Sequence, residues 1–492
     1  MVKKIEMLLY STLFTCFVLQ AQVSVTPLER GGFKQATSHE QMMQYLRELT
    51  TGSSRLSMSE VGKTVQGRSI PAVHISPSNN EEKIKVLIFC QQHGNEPSGK
   101  EAALMLLRRI AAGEDASLLS NIDLTVMPCV NPDGNEAGKR ANANGEDLNR
   151  DHLLLGQPEV RAVHAVFKML RPEVTLDVHE YAAYRKEFRD VGYVRSVDAQ
   201  FGAPTNLNVP AVLRAYALNK LFPFMEDRLK SSGVSFANYL KMNGPADTVR
   251  PSTTSIDDGR QSFAILNRFS FILEGKNGRN MNDELERRAT SQLATIEAFL
   301  EFVNTHHAEI RSMVGKQLES VGKVKDPVIM KMDYLYKGEQ IKLPVLSLTS
   351  NRDSAASFAS APIVTSLETV PRPRAYVVPK NQKELLAFLE RHQVVTETVR
   401  QPKKQAVEKY SVMDVQTKWM ENKPTWYVTT QVEKSDLVLQ EGDVIVPMNQ
   451  EHGTMIAIAL EPSSMWGLVQ YDEFAKLRTV GSVYPVYRIT AQ

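Results

Sequence analysis

Four short stretches of this chain, residues 84–90, 122–130, 174–178 and 269–273, are almost continuously apolar. Runs of that length without a polar face predict strands covered on both sides, as in a parallel sheet. Between them apolar residues recur at helical spacing over residues 38–49, 101–110, 158–170, 209–230 and 282–310, and residues 69–75 read as a further strand. Strands that alternate with helices predict an α/β fold.

Beyond about residue 320 the pattern changes. Residues 340–348 read as a strand, the Ser/Ala-rich residues 354–361 as a loop, and Pro371-Arg372-Pro373 as a boundary. Residues 375–378, a helix at 382–391 and residues 393–399 form a strand-helix-strand unit, and residues 426–432, 442–446 and 483–489 read as strands. The expected division is an α/β domain over residues 23–315 and a smaller C-terminal α+β or β-rich region over residues 320–492. Trp419, Trp426 and Trp466 all fall in this second part and read as its core.

The N-terminus changes the picture of where the protein works. Lys3 and Lys4, an apolar stretch at 7–19 and then Gln20-Ala21-Gln22 have the layout of a secretory signal peptide over residues 1–22. This predicts export to the periplasm or the extracellular space. A lipid anchor at Cys16 is the weaker alternative, because Leu13-Phe14-Thr15 lacks the small residues expected before a lipidated cysteine. No later apolar run is long enough for a membrane span. Cleavage would leave only Cys90 and Cys129, which read as two buried thiols rather than a disulfide scaffold. The 492 residues are 42% hydrophobic, as in a globular protein, and carry a net charge of +2, too little to imply a nucleic-acid partner.

The chemistry lies where the apolar runs stop. The first ends before His93-Gly94-Asn95-Glu96, the second in Asn131-Pro132-Asp133-Gly134, the third in His179-Glu180-Tyr181 and the fourth in Glu274-Gly275. Ligands of an open α/β sheet bind outside the carboxyl ends of its strands. His93, Glu96 and His179 offer the three His and carboxylate ligands of a hydrolytic zinc, whose fourth position is left for water. Spacing alone is weak, since His306 and Glu309 repeat it on a charged helical stretch and read as a solvated helix end. Taken singly, Glu274 is an ordinary strand-terminating acid and Asn149-Arg150 a loop salt-bridge cluster. Asp177 reads equally as a carboxylate orienting a ligand or as a solvent-facing strand residue.

Together, over roughly residues 57–300, these motifs resemble the zinc carboxypeptidase family, the carboxypeptidase A type of metallopeptidase. The likeness rests on the order of His93 and Glu96, Asn131-Pro132-Asp133-Gly134, Arg140, Asn149-Arg150, His179 and Glu274. Residues 265–270 and 460–468 are similar to segments of bacterial members that carry an appended C-terminal domain. The resemblance implies a mixed, mostly parallel central sheet flanked by helices. It implies one zinc ion per chain on His93, Glu96 and His179, with Glu274 as general base toward the zinc-bound water. Arg140 would stabilise the oxyanion, and Asn149 with Arg150 would grip the free C-terminal carboxylate of a peptide substrate, with cell-wall peptides among the candidates. The family's mobile tyrosine has no counterpart between residues 240 and 263, and Tyr239 lies early for that role. The specificity-setting side chain would lie near Ser255-Ile256-Asp257-Asp258, where an acid would favour a basic terminal residue.

Two other functions compete. A zinc deacylase of small N-acyl amino acids would share the His-Gly-Asn-Glu start, and a degenerate peptidase fold would only bind peptides. Cobalt or manganese would accept the same ligands as zinc.

Overall fold

A computed structural model describes residues 25–75, 83–114, 116–421 and 423–490. The expected signal peptide and Cys16 lie outside the described residues. The first nine strands are β1 (Leu56–Lys63), β2 (Ser69–Ile75), β3 (Ile84–Cys90), β4 (Ile122–Met127), β5 (Val174–Tyr181), β6 (Tyr193–Arg195), β7 (Ala199–Gly202), β8 (Phe236–Asn238) and β9 (Phe269–Lys276). Eight of them form one sheet in the order β1-β2-β4-β3-β5-β9-β7-β8. Its centre, β4-β3-β5-β9, is parallel, and the pairs β1-β2, β2-β4 and β7-β9 are antiparallel. The sheet is thus mixed and mostly parallel at its core, and all four continuous apolar runs supply its central strands.

Alternation along those strands sorts their side chains between two cores. Val86, Ile88, Val174, Leu176, Val178, Phe269, Phe271 and Leu273 face one side, against the helices Ser98–Ala112, Phe222–Ser231 and Leu285–Thr305. Leu87, Phe89 and Met127 face the other, against Pro158–Leu170 and Gly259–Ala264. The second side also receives Thr175, Asp177 and His179 of β5 and Ser270 and Glu274 of β9, and Thr175 donates to the Ser270 hydroxyl at 2.6 Å. The chemistry therefore sits on one face of two adjacent strands.

Two helical stretches differ from the expected continuous ones. Residues 209–230 fold as Ala211–Tyr216 and Phe222–Ser231 joined by a wide π turn, Ala217–Leu221. Pro223 has no N–H for the preceding turn, so the ladder widens just before it. Residues 282–310 divide at His306 into Leu285–Thr305 and His307–Ser320.

The C-terminal part adds β10 (Val328–Leu335), β11 (Gln340–Ser347), β12 (Asp353–Ala359), β13 (Ile363–Val370), β14 (Ala375–Val378), β15 (Glu397–Thr398), β16 (Lys403–Met420), β17 (Lys423–Leu439), β18 (Val444–Pro447) and β19 (Tyr487–Ile489). A six-stranded antiparallel sheet runs β15-β18-β14-β19-β16-β17. The region is β-rich, with helices Lys383–Arg391 and Gly453–Leu460. Residues 354–361, expected as a loop, are mostly strand β12: apart from the buried Phe358 its side chains are small and mostly exposed, leaving no alternating apolar face to read, and pairing with β11 fixes it. The tryptophans also correct the expectation, since only Trp466 is core. Trp419 is 75% exposed and Trp426 37% exposed, both on the β16-β17 hairpin.

This region is joined to the first part along its length. β11 pairs with β6, and Tyr376, Val412, Phe388, Ile456 and Trp466 share one core with Leu87, Phe89, Val163 and Phe263. Cys90 and Cys129 are free and buried, as expected.

Candidate metal centre and cleft

The loop after β3 is held in an unusual conformation. Gln91 lies at φ 56°, in the left-handed region that costs a non-glycine residue about 1 kcal/mol or more. Its side-chain amide donates to the Gly94 carbonyl at 2.9 Å. Gly94 allows the close approach that follows: a Cβ there would fall 2.0 Å from the Gly134 carbonyl carbon. The Asn-Pro-Asp-Gly turn can therefore press against the loop that carries His93 and Glu96. Asn131 caps its own helix by accepting from Gly134 N at 2.8 Å, and donates to the carbonyls of Gln92 and Arg140.

His93, Glu96 and His179 are buried, with donor atoms all within 4.8 Å of one another. His93 Nδ1 lies 2.9 Å from Glu96 Oε1, His179 Nδ1 lies 3.1 Å from Glu96 Oε2, and the two Nδ1 atoms are 3.0 Å apart. The opposite ring nitrogens meet carboxylates: His93 Nε2 lies 3.0 Å from Asp147 Oδ1 and His179 Nε2 lies 2.8 Å from Asp177 Oδ1. A proton on each Nε2, donated to these carboxylates, leaves both Nδ1 lone pairs and the Glu96 oxygens to converge, and His179 Nε2 also lies 3.1 Å from Asn149 Nδ2. Such a donor set suits a divalent cation, and paired carboxylates behind the imidazoles are what orient metal ligands. Asp177, open in the sequence, thus stands behind His179, and Gln92 bridges it by donating at 3.0 Å.

The field around these groups is strong. Burial would raise the Glu96 pKa, but His93 and His179 outweigh it and hold the carboxylate well below its ordinary range. Asp147 is held low in the same way, burial being outweighed by His93, Arg140 and Arg150.

Glu274 lies beside His179, its register partner across β5-β9. Burial pushes its pKa up to about 6; His179 pulls the other way and Glu96 adds to the rise. Arg140 is half-exposed at the mouth and donates to Asp147 Oδ2 at 3.0 and 3.1 Å and to Glu96 at 3.3 Å. Asn149 accepts from Gly259 N at 2.8 Å. Arg150 is opposed by burial, but Asp257, Asp147 and Asp258 outweigh that and hold its charge firmly.

His93, Glu96, Arg140, Asn149, Arg150 and Glu274 line a cavity of about 360 Å³, which also takes in Tyr239, Arg195, Ser252, Asp258 and Arg260. Tyr239, early in sequence for the family's tyrosine, stands in the cleft wall over Arg260 at 6.0 Å. Asp258 and Arg260 pair at 3.0 Å. The wall continues into the C-terminal part: Glu421, at the tip of the β16-β17 hairpin, accepts from Thr254 N at 2.8 Å, Thr254 Oγ1 at 2.6 Å and Thr253 Oγ1 at 3.0 Å. Arg250 donates to the Glu421 carbonyl at 3.1 Å.

Asp147, Gln92, Arg195 and Glu421 escaped the sequence reading. Asp147 and Gln92 are each within two residues of an assigned group, and Asp177 is two before His179 on a strand, so period-two alternation pointed to it. Nothing local marked Arg195 or Glu421. His306 and Glu309 remain apart from the centre, at a helix joint where Tyr216 donates to Glu309 at 2.6 Å.

A family model described as zinc carboxypeptidase matches residues 42–185, a segment that holds every assigned residue except Glu274. Carboxypeptidase 2 of Trichophyton rubrum is 26% identical over 488 residues, covering 93% of this chain and 88% of that protein. Carboxypeptidase 2 of Trichophyton equinum is 24% identical over 480 residues with the same coverage of both chains, 93% and 88%. A metallo-carboxypeptidase from Burkholderia cenocepacia is 19% identical, with a TM-score of 0.44 over 56% of this chain and 71% of that one.

Proposed function

Because this chain belongs to the zinc carboxypeptidase family and is a metallocarboxypeptidase, we propose that it is exported and removes single residues from the C-termini of peptides. His93, Glu96 and His179 would hold one zinc ion per chain. The ion supplies Lewis acidity, polarising a carbonyl oxygen and acidifying water. Glu274 is the general base. With a pKa near 6 it is ionised at neutral pH yet basic enough to take a proton, and it can return that proton to the departing amine. Arg140 meets the oxygen that gains charge in the transition state, a task suited to a permanently charged donor. Arg150, with Asn149 beside it, binds the terminal carboxylate, and a guanidinium that grips a carboxylate bidentately makes the enzyme measure from a chain end.

The observation that carries this reading is the convergence of two Nδ1 atoms and Glu96 in the same cleft as Glu274 and Arg150. Export is supported by the layout of residues 1–22; among the described residues no helix is long and apolar enough to cross a membrane. The test is to incubate purified protein with a peptide mixture, with and without a chelator, and to read products by mass spectrometry. Loss of single C-terminal residues that stops with chelator is the expected result. Internal cleavage would remove the role of Arg150, and release of acyl groups from N-acyl amino acids alone would replace the reading with a deacylase.

A further inference from the structure

We propose that the cleft selects peptides whose C-terminal residue has an acidic side chain, and that Arg195 receives it. This rests on the carboxypeptidase reading, since it names the substrate class of the same cleft.

The cavity is lined by six cationic side chains, Arg140, Arg150, Arg185, Arg195, Lys241 and Arg260, against four carboxylates. Every one of those carboxylates is committed. Glu96 and Glu274 belong to the catalytic centre, Glu180 takes two bonds from Arg288 at 2.8 and 2.9 Å, and Asp258 pairs with Arg260 at 3.0 Å. The acid expected to welcome a basic residue is thus already neutralised inside the wall. Arg195 is in the opposite condition. It is buried, lies over the Tyr181 ring at 4.2 Å, and gives hydrogen bonds only to neutral oxygens, Gln200 Oε1 at 3.0 Å and the Leu240 carbonyl at 3.2 Å. Among the described residues no carboxylate comes within ion-pair distance of it.

A buried guanidinium without a counterion is poorly solvated, and burial lowers its pKa from the ordinary arginine value. Five N–H donors in a planar fork leave room for a carboxylate. The substrate's α-carboxylate is taken by Arg150, so the anion left for Arg195 is the side chain of Glu or Asp. A lysine-ended peptide would meet this cation with no uncommitted acid to offset it. An aliphatic end would leave it dry and unpaired.

The test uses zinc-loaded full-length protein and blocked tripeptides that differ only in the last residue: Glu, Gln, Leu or Lys. The expected kcat/KM for the Glu peptide exceeds that for Gln by about tenfold or more, with Lys lowest. Arg195→Met should bring the Glu-to-Gln ratio close to one, while Arg195→Lys keeps much of the preference. Calorimetry on Glu274→Gln should show tighter binding of the Glu peptide than of the Gln peptide, whether or not Arg195→Met folds. A preference for Leu or Lys overturns the inference. So does a fall in all four rates by a common factor in Arg195→Met, which would make Arg195 a second holder of the α-carboxylate. If no peptide is cleaved but the binding preference holds, the anionic subsite stands and the carboxypeptidase reading falls; if neither is seen, both fall.

Discussion

Glu274 is the side chain on which the proposed chemistry turns, and its environment makes two expectations. Its pKa is raised to about 6 by burial, and only the ionised form accepts a proton. Activity should therefore be full above that value and fall as pH drops through it, giving kcat/KM an acid limb near pH 6 in a pH-rate profile. Glu274→Gln should lower kcat by about 10²-fold or more while leaving bound zinc, measured by elemental analysis, unchanged. The carboxylates behind the imidazoles are expected to behave the other way. Asp177→Asn should weaken zinc affinity by about 10- to 100-fold in a chelator competition, because His179 loses its orienting acceptor. His93, Glu96, His179 and Glu274 were legible because each ends an apolar run. Arg195 was not: its meaning comes from the absence of a nearby acid, a property of the folded cleft and of no local pattern.

Among the elements, the four parallel strands were the easiest to read, since burial on both faces leaves a continuous apolar signature. The long β16-β17 hairpin was mostly missed. Residues 403–420 mix Lys, Gln, Glu and Asp on their exposed positions, and their strand character comes from pairing over the whole length of residues 423–439. Yet this hairpin reaches the cleft. Glu421→Ala removes the acceptor for Thr253, Thr254 N and Thr254 Oγ1, at an expected loss of about 1–3 kcal/mol. The loop that presents Ser252, Thr253 and Asp258 to the cavity would loosen. KM should rise more than kcat falls, with zinc content unchanged, a division that steady-state kinetics and metal analysis resolve.

The whole molecule is bound through a core that both regions share. Leu87, Phe89 and Phe263 from the first part pack with Tyr376, Phe388 and Trp466 from the second. Calorimetry should therefore show one cooperative unfolding transition rather than two. A chain cut after residue 320 should be recovered mainly as aggregate, with this apolar surface bare. The expected boundary between residues 315 and 320 marks a change of architecture, and the helix His307–Ser320 runs across its first residue. That the hairpin tip buttresses the cleft also sets an order in time. Ribosomes make His93, Glu96, His179 and Glu274 first and residue 421 well over a hundred residues later, and chains fold as they emerge. An unfinished chain, with its substrate wall unsupported, should therefore cleave peptides poorly, and competence should arrive only once residue 421 has been made.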